Sequence, residues 1–213
     1  MRVMRRMVAL VVILSLFFAP IVFAELSDQE QKTLRRDAGK LAREHGVPEN
    51  DVYRYLILLY TASKSETAGL SARNEIERRH MHLRALAYEA AADASFEATL
   101  ALQKALQVMM ELKIERDAGN KFVSPELSQR LHIVRSAAER AFSNAKKMDS
   151  TMAELTSFEG EKNCDTPRSG YFVRCSHELK NAVDEIRGTL ALLRSTIGPF
   201  SAPPFIRGGK RST

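Results

Sequence analysis

Residues 124–155 read SPELSQRLHIVRSAAERAFSNAKKMDSTMAEL, and the spacing of apolar side chains in this run decides the fold. Leu127, Leu131, Val134, Ala138, Ala141, Ala145, Met148, Met152 and Leu155 follow one another in alternating steps of four and three. That spacing puts every one of them on a single stripe of an α-helix, the seam of a coiled coil. Ser124 supplies an N-cap and Pro125 the first helical position, where a missing N–H costs nothing. A helix of this length with one apolar stripe cannot stand alone, so the rest of the chain must supply its partners.

The preceding segment is the first partner. No Pro or Gly interrupts residues 71–118, and Gly119-Asn120 closes them. The seam there is Ile76, His80, Leu83, Ala87, Ala90, Ala94, Ala98, Ala101, Ala105, Val108 and Leu112, with one extra step of four between Ala94 and Ala98. Leu102, Leu106 and Met109 widen the face, as in a bundle of more than two helices. Alanines crowd residues 85–105, and Ala138, Ala141 and Ala145 lie a similar distance beyond the 119–124 turn. An antiparallel hairpin aligns the two zones and lets the helices approach closely.

Further out, the punctuation marks more helices. Ser27 with Glu30 is a capping box, and Gly46 followed by Pro48 ends that helix, whose apolar face is Leu34, Ala38 and Leu41. Asn50 is placed to cap a second helix from Val52 to about Ser65, apolar on most sides, with a break at Gly69. Residues 157–176 hold Gly160, Pro167 and Gly170 and are expected to form a loop, after which Ser176 caps a last helix with Leu179, Val183, Ile186, Leu190, Leu193 and Ile197 on its seam. Gly198-Pro199 stops it, and residues 199–213, with Pro203-Pro204 and Gly208-Gly209, are expected to be disordered. The expected fold is therefore all-α: an elongated antiparallel helical bundle over 25–198, built on a coiled-coil hairpin with a disulfide-stapled loop.

The staple follows from compartment. Residues 1–24 have the order of a secretory signal peptide: Arg2, Arg5 and Arg6, an apolar run from Val8, then Val22-Phe23-Ala24 before Glu25. The protein is expected to be secreted, periplasmic or on the cell surface, and to meet a membrane only if this segment stays uncleaved. In an oxidising compartment Cys164 and Cys175 are expected to pair. Closing that loop stabilises by roughly 3 kcal/mol on the chain-entropy model.

The leader holds three Arg and no acid, so the net charge of +6 falls to +3 without it, and no long basic run occurs. Signs so interspersed are a solvated surface, and no nucleic-acid partner is expected. The chain has no Gly-rich phosphate loop, H-E-x-x-H, G-x-S-x-G or C-x-x-C-H. His80 and His82 point about 200° apart on a helix. Glu77 and His80 match a di-iron bundle's Glu-x-x-His spacing once, where two such pairs are needed. Neither metal, cofactor nor enzymatic activity is expected. What remains is an exported surface, structural or protein-binding module, with a homo-oligomer among its possible forms. The alternative is a small-ligand carrier or chaperone with an interhelical pocket. The candidate binding loop is Arg168, Tyr171, Phe172 and Arg174, because Tyr and Arg dominate interface hot spots and a disulfide would hold them in place.

Overall fold

The structure, a computed structural model, describes residues 26–119, 123–161 and 170–198, with side chains omitted at 161 and 170–176. Among the described residues there are five helices and no strand: α1 (Asp28–His45), α2 (Glu49–Leu70), α3 (Glu75–Asp117), α4 (Pro125–Glu161) and α5 (Gly170–Ile197). The leader 1–24 and the segment 199–213 lie outside the described residues.

The α1 boundaries follow the expected chemistry. The Ser27 N–H donates to the Glu30 carboxylate at 2.9 Å, and the Glu30 N–H returns a bond to Ser27 Oγ at 3.3 Å. At the other end Gly46 takes the left-handed conformation, φ 66°, and its N–H caps the Ala42 carbonyl. Two other boundaries differ from the sequence reading. Pro48 is the N-cap of α2, so Asn50 sits inside the first turn and caps nothing. Helix α2 also runs through Gly69 to Leu70. Gly69 is there for contact, because a Cβ at that position would lie 3.1 Å from Met81 Cβ where α2 meets α3. The break falls at 71–74 instead, and Asn74 caps α3 by accepting from the Glu77 N–H at 2.8 Å.

Helix α3 has 43 residues, ~64 Å at 1.5 Å per residue. It is the axis of the bundle, lying against α2, α4 and α5, while α1 packs on α2. The pairs His80–Glu159, Glu97–Arg140 and Glu111–Arg130 show α4 running antiparallel to it along its whole length. The seams pack as their spacing requires except at Ile76, which lies in the first turn of α3 and is 52% exposed. Ala87, Ala94, Ala98, Ala101 and Ala105 on α3, and Ala141 and Met148 on α4, are wholly inaccessible to solvent. Leu179, Val183, Ile186, Leu190 and Leu193 of α5 close the same core. A second, smaller core of Ala38, Ala42, Val47, Val52, Tyr53 and Ile57 joins α1 to α2 and reaches Phe96 and Leu100 of α3.

Part of the loop expected over 157–176 is helical, because α4 continues to Glu161 and α5 starts at Gly170. Phe158 explains the first extension. It lies three residues after Leu155 and is buried, while Gly160 faces open space, where a helical glycine costs only ~1 kcal/mol.

Candidate functional site

Of the expected binding loop, Cys164 and Arg168 lie outside the described residues, as does the pairing of Cys164 with Cys175. Tyr171, Phe172, Arg174 and Cys175 fall on the opening turns of α5, so the backbone is helical there where a loop was expected.

The polar residues singled out on α3 are engaged in structure. His80 is buried on the seam, and its Nε2–H donates to Glu159 Oε1 at 2.8 Å, tying α3 to α4. That hydrogen bond is the main reason the Glu159 carboxyl is held below its ordinary range. Partial burial opposes it, and the charges of His80, Arg84 and Lys180 add to it. Phe158 stacks beside the His80 ring, with the Arg79 guanidinium 5.4 Å from the Phe158 ring centre on another side. His82 faces solvent. Glu77, the other half of the Glu-x-x-His spacing, accepts from the Arg73 N–H at 3.1 Å and serves the helix start. Among the described residues no group of three or more His, Cys, Asp or Glu side chains is placed to hold a metal ion, and no helix is long and apolar enough to cross a membrane.

The opposite end of the bundle is different. Tyr55 stacks on Phe96 at 4.7 Å, so α2, which begins at Glu49, starts only a little beyond that level of α3. The Arg194 guanidinium lies 5.2 Å from the Phe142 ring centre, and α5 ends three residues later. Beyond those levels, among the described residues, α3 and α4 continue alone as a two-helix tip of about 15 residues each, ~22 Å long. Ala105, Val108, Leu127 and Val134 are buried in its seam.

Among the described residues, four of the seven large hydrophobic side chains most exposed to solvent are on this tip: Met110 (52%), Ile114 (67%), Val123 (39%) and Ile133 (48%). Two of them share a flank. Glu111 and Arg130 each precede a seam residue, Leu112 and Leu131, and bridge one flank of the hairpin at 2.6 Å. Phe142 and Asp149 each follow a seam residue, and they meet Arg194 and Arg187 of α5 on the other flank. At 100° per residue Ile114 and Ile133 belong to the Glu111–Arg130 flank, the one that α5 does not cover. An open cavity of about 230 Å³ lies on that flank, lined by Ile114 and Leu127 with Glu111, Glu115, Glu126, Arg130 and Ser124. Its rim carries three carboxylates against one guanidinium, an acidic spot on a basic chain. The Ser124 N–H donates to Glu115 at 3.4 Å, and Ser124 Oγ accepts from the Leu127 N–H at 3.3 Å, which fixes the start of α4 beneath it.

No protein-family model matches the chain, and neither does any curated protein or solved structure at the level searched.

Sequence reasoning missed the tip because periodicity marks a seam without saying where its neighbours stop. One signal was in reach. Ile114 and Ile133 are the two β-branched residues within the tip's helices that fall off both seams.

Proposed function

We propose that this is an exported, non-enzymatic helical-bundle protein whose work is to bind another protein surface, and that the projecting hairpin tip is where it binds. The observation that carries this reading is the gathering of exposed aliphatic side chains on a two-helix projection, beside an acidic-rimmed cavity. Single exposed apolar residues are ordinary on any surface, whereas a contiguous set rimmed by charge marks an interaction site. Export rests on the leader, and the absence of a catalytic role on the engagement of His80 and Glu159 in tying α3 to α4 and of Glu77 in the start of α3.

A small-ligand carrier has less support. Ligand pockets usually enclose ~300–1,000 Å³ between packed elements. The cavity of about 230 Å³ is open and at the tip, while the alanine seam between α3 and α4 is closed.

The test is capture from the native compartment with exported protein, comparing wild type with Ile114→Asp and Ile133→Asp. Both side chains are about half exposed or more, so the variants should melt within ~0.5 kcal/mol of wild type, as surface changes do. Each should lose the captured protein. Capture that is indifferent to both changes places the binding surface elsewhere.

A further inference from the structure

We propose that the tip's partner is a second copy of this chain, laid antiparallel against the open flank so that two hairpin tips make a four-helix bundle. This rests on the reading of the tip as a binding surface and names what binds it.

The flank is built to match itself. Glu111 and Arg130, joined at 2.6 Å, sit near its centre. Toward the body of the molecule lies Lys104, one residue before the seam position Ala105 and hence on this flank. Toward the turn lie Glu115 and Glu126, both on the cavity rim. The flank thus runs from basic to acidic as it leaves the bundle. A two-fold axis through the central ion pair reverses that direction, and an isologous interface then brings Lys104 of each copy to within about one helical turn of Glu115 of the other, inside the reach of a lysine side chain. A parallel arrangement would stack like charges and is disfavoured by the same layout. Ile133 lies on the body side of the central pair and Ile114 on the turn side, so both are carried into the interface. That burial removes from water two side chains that a two-helix layer leaves at 48% and 67% exposure.

The tip's own architecture asks for such a partner. Elsewhere α3 is covered on several sides, and Ala85, Tyr88, Ala91 and Ala92, all off the α4 seam, are buried there. Past residue 101 the described elements leave it α4 alone. Two helices hide one stripe each, and an apolar face wider than that stripe belongs to a bundle of three or four helices.

The decisive measurement is the molar mass of the full exported protein by sedimentation equilibrium over a concentration series. The wild type should fit a monomer–dimer equilibrium. Ile133→Asp and Ile114→Asp should each weaken it at least ~10-fold, because an unpaired carboxylate would be carried into an apolar contact. Lys104→Glu should also weaken it. Adding Glu115→Lys in the same chain should restore most of the affinity, since the exchanged charges again face their opposites across the two-fold axis. Helicity measured alongside guards against misfolded variants. A wild type that stays monomeric at every concentration overturns the proposal, and if its isoleucine variants still lose a captured protein, the tip remains a binding surface for something else. A dimer untouched by both isoleucine changes overturns it as well, and so does a charge exchange that fails to restore association.

Discussion

Helices α3 and α4 pass through two environments, and the same seam means different things in each. In the body, α3 is flanked by α2, α4 and α5, and its alanines are buried on nearly every face: Ala85, Ala87, Ala90, Ala91, Ala92, Ala94 and Ala98. At the tip only the stripe Ala101, Ala105 and Val108 is buried, while Gln107 and Met110 on the same helix are exposed. A side chain in the body is held by a cage of other helices. One at the tip is held by a single neighbour that can splay. Buried surface alone does not distinguish them, since Leu127 at the tip and Leu193 in the body are both closed to solvent. The difference should appear in how each site responds to being emptied or overfilled.

Emptying is the larger test. Leu193→Ala leaves a cavity among helices that cannot all close on it, and should cost ~2–5 kcal/mol, the range for buried Leu→Ala changes. In a chain of this size that lowers the melting temperature by about 2–4 °C per kcal/mol. Leu127→Ala removes the same atoms where two helix ends can settle together, and should fall at or below the bottom of that range. Equal losses at the two sites would mean that the tip is as tightly caged as the body.

Overfilling comes next. Ala141 faces the closed alanine zone of α3, and Ala141→Phe should cost ~1–3 kcal/mol by forcing packed helices apart. Ala105→Phe at the tip should cost less than ~1 kcal/mol if the hairpin opens to admit the ring. A variant at 141 that melts like wild type would contradict the wholly closed seam around it.

How much of this was legible in the sequence follows from the same contrast. The 4–3 spacing of Leu127 to Leu155, the alanine zone of α3 and the seam from Leu179 to Ile197 are local patterns, and the structure buries them, Leu131, Met152 and Ile197 only in part. So is the Ser27–Glu30 box. Helix ends were less legible wherever a glycine stood in for a stop. Gly69 and Gly160 both sit inside helices, one because α3 comes too close for a side chain and one because it faces open space. Neither circumstance is written in the local sequence. The burial of His80 was legible from its seam position, but its partner Glu159 is 79 residues away. The tip was least legible of all. It exists because α5 has 28 residues where α4 has 37, a difference that appears only when the last two helices are aligned.

The smallest expected effect concerns α1, which, like the tip, leans on one neighbour. Its outer anchor is Glu30, whose carboxylate accepts a hydrogen bond from the Tyr60 hydroxyl of α2 and lies 3.6 Å from the Lys64 ammonium. The Tyr60 bond first, and then the Ser27 backbone and hydroxyl, lower the Glu30 pKa from an ordinary 4.5 to about 2. The folded state therefore favours the ionised carboxylate more than the unfolded chain does. Its contribution is fully present above pH 4.5 and is lost as the pH falls toward about 2, the range between the two values. The group lies at the surface with about a third of its side chain open to water, 36%, so solvent screens the interaction and the change should be local to α1. Amide exchange over that pH range should show α1 losing protection while the buried middle of α3 keeps it. Tyr60→Phe removes the largest cause of the shift, returns the Glu30 pKa toward its ordinary value, and should flatten the acid dependence of α1. Protection of α1 that stays constant across the range in the wild type would show that the Ala38–Ala42–Val52 contact, and not this carboxylate, holds the helix in place.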